Sequence, residues 1–163
     1  LGFQTFAFPI CRLDDWLKHV VARDGIFIDP SALEWAGIAA MKRAYQIFQE
    51  RGYRARVLAA AFRNVNQWAE FVGGDVVVSP PFKWQKIIAD SDYTARERIA
   101  DPVDPHYIAE LERIPDFVRA YEPDGMTIEE FEEFGPTRKT LRQFLAADAD
   151  LDALVRDIIV PAP

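Results

Sequence analysis

The sequence contains a single cysteine, Cys11, which excludes an intrachain disulfide and any metal site assembled from cysteines. A reducing, cytoplasmic setting therefore fits it best. No apolar run approaches the roughly 20 residues needed to span a bilayer, so no membrane partner is predicted. The 19 Lys and Arg residues form no cluster, and the formal net charge is −7. A surface of this kind argues against nucleic acid as a partner, since phosphate backbones are bound by clustered basic residues.

Internal repeats and low-complexity segments are also absent, and half of the 163 residues are hydrophobic, which is enough for the core of one domain. The chain begins LGFQTFAFPICR, without a methionine and without the basic flank of a signal peptide. Because these first residues already have the pattern of a strand, we expect the sequence to be part of a longer one.

Three strand patterns alternate with helix patterns in the first hundred residues. Residues 3–8 alternate apolar and polar side chains until Pro9, residues 56–62 form an apolar run, and residues 75–79 form a third strand. The uninterrupted apolarity of the second strand predicts burial on both of its faces. Alternation of strands and helices predicts a parallel sheet covered by helices, that is, an α/β fold.

The helix patterns have recognisable ends. Gly25 is expected to stop a helix that begins at residue 10, and a Ser-x-x-Glu capping box at Ser31 is expected to open a long helix that Gly52 ends. Shorter helices are predicted over residues 64–71 and from Pro80 or Pro81 to 91. Beyond Asp92 only helices are predicted, at about 105–113, 115–121, 127–134 and 137–160.

The segment ADPVDP, residues 100–105, is the one plausible boundary, because strand patterns give way to helix patterns there. We interpret it as a connection rather than a linker. The prediction is a single domain over residues 1–163, with β/α units in 1–99 and a helical tail in 100–163.

Two arginines follow the predicted strands. Arg12 comes after the first strand and a short loop, and Arg63 directly ends the second. Parallel strands place functional residues at their carboxyl ends. A guanidinium is a forked donor suited to phosphate, and Asn64 would lead a helix whose N–H groups favour an anion. The pattern therefore predicts an anion pocket. The alternative is that each arginine caps a helix or pairs with an acidic residue, Asp14 and Asp15 being close to Arg12.

The stretch AAAFRNVNQWAEFVGGDVVVSPPFKWQKI resembles the transaldolase segment in which a strand ends in Phe-Arg-Asn, a helix ends in a small-Gly-Asp turn, and a strand ends in Ser/Ala-Pro. FPICRLDDWLKH, FVRAYEPDGMTIEEF and GPTRKTLRQFL are similar to further segments of that family. The resemblance implies a (β/α)8 TIM barrel, of which this chain supplies the last three strands and the C-terminal helices. The missing N-terminal part of the barrel, from the same or another chain, is then an expected partner.

The resemblance also implies a sugar-phosphate substrate whose phosphate is held by Arg63 and Arg12, with Asn64 and Ser79 as pocket neighbours. The sequence departs from the family pattern at two places. Ala61 stands where the family usually has serine, and AFPIC stands where it usually has Ser-Pro-Phe-x-Gly. At these positions the sequence lacks a hydroxyl that the family pattern places near the phosphate.

The family transfers a dihydroxyacetone unit between sugar phosphates, in the pentose phosphate pathway, through a Schiff base on a buried lysine. No catalytic residue is predicted in this chain, because all five lysines fall on predicted helices and none is expected to be buried. Lys83 is the nearest candidate by position, but a solvated helix-face lysine is the simpler interpretation. No metal site, glycine-rich loop or nucleophile triad stands out, and no cofactor is predicted.

Three functional interpretations stay open at this point. The chain is the phosphate-binding part of a transaldolase, a non-catalytic sugar-phosphate-binding or interaction protein of the same fold, or a self-sufficient small α/β domain with an anion pocket. The first is favoured because the resemblance extends over nearly the whole sequence.

Overall fold

The computed structural model describes residues 4–160, which divide into two compact units between Gly125 and Met126. Phe3, the predicted start of the first strand, lies outside the described residues. Within the described part of the chain, no helix is both long enough and apolar enough to span a membrane.

The first unit contains a three-stranded parallel sheet. Its strands are β1 (Thr5–Pro9), β2 (Arg56–Ala60) and β3 (Val76–Ser79), arranged in that order with β2 in the centre. The predicted parallel α/β arrangement is therefore confirmed. The register pairs Pro9 with Ala60 and Ala60 with Ser79, so the three strands end in one row.

The α-helices described in the first unit are α1 (Ile10–Asp24), α2 (Ala36–Glu50), α3 (Asn66–Ala69), α4 (Phe82–Ala89), α5 (Pro105–Leu111) and α6 (Pro115–Tyr121). The predicted stop of α1 is confirmed, since Gly25 has a left-handed backbone with φ 63° and donates its N–H to the Val21 carbonyl. In the second unit, α7 (Ile128–Glu133) and α8 (Gly135–Ile159) follow each other. The predicted cap of α7 is also confirmed, because Thr127 and Glu130 form a reciprocal capping box.

The predicted start of α2 was wrong. Ser31 does not cap a long helix but lies in a 3₁₀ turn, Pro30–Glu34, and α2 begins only at Ala36. The reason is Asp29, whose carboxylate accepts hydrogen bonds from both the N–H and the hydroxyl of Ser31. The Ser31 hydroxyl is therefore bound to Asp29, in the turn before α2, and does not cap α2. Asp29 as N-cap and Pro30 at the first position begin the 3₁₀ turn instead.

Within residues 4–125, the described helices pack on one face of the sheet. On that face Val57 and Ala59 are buried in the core, together with residues of α1, α2 and the following loops: Ile10, Ile38, Met41, Phe62, Phe71 and Ile99. On the other face Ala7 is exposed, while Leu58 and Val77 are only half-buried. Within the first unit the prediction that β2 is buried on both faces is thus wrong, because Leu58 on its second face is only half-buried.

The segment at the predicted boundary is tied to the core of the first unit. Lys42 on α2 donates hydrogen bonds to the carbonyls of Arg98 and Asp101, each at 2.9 Å, and Val103 packs against the core cluster. Residues 100–104 therefore act as a fixed connection. The extension of one domain over residues 1–163 stays a prediction.

Candidate functional site

Both predicted arginines lie just beyond the row of strand ends. Pro9 of β1 and Ala60 of β2 are register partners. Arg12 is three positions past Pro9 (12 − 9) and Arg63 is three positions past Ala60 (63 − 60). Neighbouring parallel strands thus present two guanidinium groups at the same offset, on the edge where functional residues of α/β sheets collect.

The backbone before Arg63 is held in an unusual conformation. Ala61 has a left-handed backbone, with φ 61°, which costs an L-residue about 1–2 kcal/mol. The next residue, Phe62, is fully buried in the core. Such strain persists only where the surrounding structure fixes it, and the buried phenyl ring is one such fixed point.

Arg63 and Asn64 are also held from α3. The Gln67 side-chain oxygen accepts a hydrogen bond of 2.5 Å from the Arg63 N–H, and the Asn64 side chain accepts one of 2.9 Å from the Gln67 N–H. Asn64 therefore caps the turn that precedes α3, and the prediction of a helix over 64–71 was too long, because α3 extends only over Asn66–Ala69.

Gln67 is completely buried and reaches α1 through Asp14. Its side-chain N–H donates to Asp14 Oδ2 at 2.6 Å, and Asp14 Oδ1 accepts from the Gly37 N–H of α2 at 2.7 Å. Asp14 is only 3 % exposed. Burial raises the pKa of its carboxyl to about 7, against the opposing effects of the Gly37 and Gln67 hydrogen bonds and of Lys18.

Within the described chain, the two guanidinium groups have no carboxylate partner. Arg63 is exposed, and its side chain makes one long contact of 3.4 Å to the Phe62 carbonyl. Arg12 is half-buried. Between residues 4 and 160 neither arginine forms an ion pair with a carboxylate, and Asp14, the nearest candidate in sequence, is bound to Gln67 and Gly37 instead. The alternative that these arginines serve as structural ion-pair partners is therefore wrong for the described chain.

The surroundings of Cys11 include both arginines. Burial raises the pKa of its thiol, the positive charges of Arg63 and Arg12 lower this pKa, and the carboxylates of Asp15 and Asp14 raise it. Cys11 itself is fully buried, so its thiol is not open to solvent. Two cationic and two acidic side chains therefore act together at this edge of the sheet.

Of the other predicted site residues, Ser79 ends β3 beside Ala60 and is exposed, so it belongs to the same row of strand ends. Lys83 is exposed on α4, as are Lys18, Lys86 and Lys139 on their helices. His106 is exposed and lies 3.2 Å from Asp29, and the His19 ring contacts that of Trp16. No group of three or more metal-ligating side chains occurs in the described residues.

The expectation that no lysine is buried was wrong for Lys42. Its ammonium is 2.6 Å from Glu70, which also binds Arg98 at 2.9 Å, and only 8 % of the Lys42 residue is exposed. Together with the Arg98 and Asp101 carbonyls, Glu70 occupies all three N–H donors of Lys42. An ammonium engaged in this way is a structural tie and not a nucleophile.

Sequence reasoning missed Asp14 and Gln67 as members of the site. A signal for Asp14 was present, because it falls on the same face of α1 as Ile10 and Leu17, both of which are fully buried. A carboxylate at such a position requires buried donors. Gln67 carried no comparable signal, since its partners are 4 and 53 positions away along the chain.

Comparisons with known proteins agree on one family. The sequence model of the family described as transaldolase/fructose-6-phosphate aldolase matches residues 4–133. A transaldolase of Nostoc punctiforme (strain ATCC 29133 / PCC 73102) is 26% identical over 155 residues, covering 91% of this chain and 42% of that protein. A transaldolase of Nostoc sp. (strain PCC 7120 / SAG 25.82 / UTEX 2576) is 33% identical over 70 residues, covering 43% of this chain and 20% of that protein.

A transaldolase of Prochlorococcus marinus (strain NATL2A) is 29% identical over 76 residues, covering 47% of this chain and 22% of that protein. The chain therefore spans less than half the length of these curated relatives. No solved structure matches it significantly.

Proposed function

The chain belongs to the transaldolase/fructose-6-phosphate aldolase family, and from this premise we propose that it carries the phosphate-binding part of a transaldolase. The reaction is the transfer of a dihydroxyacetone unit between sugar phosphates through a Schiff base. The observation that supports this function best is the pair Arg12 and Arg63, two guanidinium groups without carboxylate partners in residues 4–160, at the same offset past adjacent parallel strands.

The proposed roles of the individual residues are supported by their positions at the strand ends. Arg63 and Arg12 bind the substrate phosphate, because forked, permanently charged donors match its oxygens. Helix α1 adds to this site, since it begins directly after Pro9 without a side-chain cap and without an acidic residue in its first turn. Asn64 and Ser79 are pocket neighbours at the ends of β2 and β3.

We propose that the sheet is part of a (β/α)8 barrel. Three parallel strands do not close on themselves, and the exposed or half-buried Ala7, Leu58 and Val77 lie on the face that a barrel would enclose. β1 and β3 also leave edges to be paired. The N-terminal part of the barrel, on the same or another chain, is the proposed partner, and the proposed setting is cytoplasmic.

The Schiff-base lysine is proposed to come from that other part. Lys42 has no free N–H donor, and the remaining lysines of the chain are exposed on helices. An exposed ammonium lacks the apolar surroundings that make a lysine nucleophilic near neutral pH.

The test uses the assembled protein, that is, this chain with the part that completes the barrel. Arg63→Ala should raise KM for a phosphorylated sugar about 10- to 100-fold, since each lost charged hydrogen bond is worth roughly 1.5–3 kcal/mol. KM for the unphosphorylated analogue and the melting temperature should change little. The matched control is Arg56→Ala, which removes an exposed arginine from the opposite end of the same strand, 3.5 Å from Asp75. Equal losses on both substrates would refute the phosphate assignment.

A further inference from the structure

The side chain of Gln67 connects the loop that carries Arg63 to the helix that carries Arg12. We infer that Gln67, oriented by Asp14, is a positioning residue that fixes Arg63 relative to Arg12, so that the two guanidinium groups bind one phosphate group together. This inference rests on the proposed function and extends it to two residues that touch no substrate.

The direction of the Gln67 amide is set by Asp14. Above its pKa of about 7 the Asp14 carboxyl is ionised and accepts hydrogen bonds without donating them, so the Gln67 side-chain N–H must face Asp14 Oδ2, as it does at 2.6 Å. The side-chain oxygen then has to face the other way, where it accepts the Arg63 N–H at 2.5 Å. An amide turned by 180° would oppose N–H to N–H at the Arg63 end and leave two acceptors facing each other at the Asp14 end.

Asp14 is itself fixed by the contact of α1 with α2. Its other oxygen accepts the Gly37 N–H at 2.7 Å. At Gly37 a side chain would collide with the Ile10 carbonyl, so the two helices touch through their backbones there. Arg12 lies on the same helix as Asp14, two positions earlier. Through Gln67 and Asp14, the position of Arg63 is therefore fixed relative to α1, the helix that also carries Arg12.

Within the described chain, the Gln67 side chain makes hydrogen bonds only to the Arg63 N–H and to Asp14. Its backbone N–H binds Asn64, its side chain binds Arg63 and Asp14, and no part of it is exposed. Burial of a primary amide is favourable only when its donors and acceptor are used, and here the side-chain oxygen is used on the residue proposed to hold phosphate.

The experiment exchanges the carboxylate at position 14 and the amide at position 67, first singly and then together. Gln67→Glu opposes two carboxylates, and Asp14→Asn opposes two N–H donors or turns the amide away from Arg63. The double variant Asp14→Asn/Gln67→Glu restores every hydrogen bond with the roles reversed. Its amide at position 14 would donate to the carboxylate at position 67 and accept from Gly37, while that carboxylate accepts from the Arg63 N–H. Formal charge is conserved in the double variant.

Binding of inorganic phosphate to the assembled protein, that is, this chain with the part that completes the barrel, is followed at pH 8 by NMR titration of the Arg63 and Arg12 signals, with hydrogen exchange of the Arg63 amide as a second readout. Each single variant should weaken phosphate binding about tenfold and accelerate exchange of the Arg63 amide. The double variant should return both values to within about threefold of the wild type. Trp16→Phe, which removes a 2.6 Å hydrogen bond to Asp116 elsewhere on α1, controls for destabilisation alone and should leave phosphate affinity unchanged.

Three results would overturn the inference, and they are distinguishable. If the wild type and Arg63→Ala bind phosphate equally, the proposed function fails together with the inference. If Arg63→Ala loses phosphate but both single variants bind it normally, only the positioning role is refuted. If the double variant is as weak as the single variants together, Asp14 and Gln67 act independently and the orientation argument is wrong.

Discussion

Lys42 and Glu70 form a buried ion pair of 2.6 Å between α2 and the residue that ends α3. Arg98 lies 2.9 Å from the other oxygen of Glu70, so one carboxylate holds two cations. The pair also fixes the connection after residue 98, because the remaining donors of Lys42 bind two of its carbonyls. Glu70 therefore fixes the C-terminal end of α3, while Gln67 binds the Arg63 N–H on the N-terminal side of that helix.

Lys42→Met should destabilise the first unit by about 3–5 kcal/mol, because Glu70 and two carbonyls lose a buried partner. Urea unfolding followed by circular dichroism measures the change. Lys86→Met, which removes an exposed lysine of α4, should alter the free energy of unfolding by no more than about 0.5 kcal/mol. A loss at position 42 as small as that at position 86 would contradict the assigned role of the ion pair.

Ala61→Gly should stabilise the protein by roughly 0.5–1 kcal/mol. Glycine relieves a left-handed backbone that costs an alanine about 1–2 kcal/mol, and it loses part of this gain through its larger conformational entropy in the unfolded chain. The control is Ala60→Gly in the adjoining strand position, where no positive φ exists and a loss of about 0.5–1 kcal/mol is expected. Thermal unfolding of both variants decides the matter, since equal losses would show that Ala61 is not strained.

Stability should fall as pH rises from about 4 to about 7, because of Asp14. The folded state keeps the proton on this carboxyl up to a pKa of about 7, whereas the unfolded chain releases it near 3.8. The folded state therefore binds more protons in this window, and the free energy of unfolding decreases by up to about 1.4 kcal/mol per pH unit for this group. Unfolding curves of the wild type and Asp14→Asn between pH 4 and 8 measure the difference.

Asp14→Asn should flatten that pH dependence even if its absolute stability is lower. Asp15→Asn removes a neighbouring carboxylate that contacts neither Gln67 nor Gly37 but helps to raise the Asp14 pKa, so it should reduce the pH dependence without abolishing it. An identical slope in the wild type and in Asp14→Asn would mean that Asp14 is ionised throughout the range.

Borohydride treatment of the 163-residue chain with fructose 6-phosphate should leave its mass unchanged. Trapping of a Schiff base requires a lysine with a free, deprotonated amine, and the described lysines are either exposed or, as Lys42, fully hydrogen-bonded. Mass spectrometry of the digested product would reveal an adduct. A sugar adduct on Lys83 would show that this chain supplies the imine lysine itself.

The strands and most helix ends could be predicted because their signals are local. Gly25 ends α1 through its own backbone freedom, and Thr127 with Glu130 caps α7 within one turn. The positions of Arg12 and Arg63 past the strand ends follow from the same local patterns, combined with the rule that parallel strands end on one edge.

The parts that could not be predicted depend on partners distant in sequence. Ser31 has the pattern of a helix cap, yet Asp29 competes for its hydroxyl and moves the start of α2. The burial of Lys42 depends on Glu70, 28 positions away, and on carbonyls further along the chain. The apolar sequence of β2 likewise does not determine which elements pack on each face of the sheet, so the exposure of its second face could not be predicted.

The register of the sheet has a consequence for the order in which the chain folds. The β2–β3 pair joins Val57 to Val76, 19 positions apart (76 − 57), whereas β1–β2 joins Thr5 to Arg56, 51 positions apart (56 − 5). Loop-closure entropy disfavours the longer connection by about 0.9 kcal/mol, so the β2–α3–β3 unit that carries Arg63 is able to close first. The two arginines then meet only in the later closure, and pulse-labelled hydrogen exchange should show β3 amides protected before those of β1.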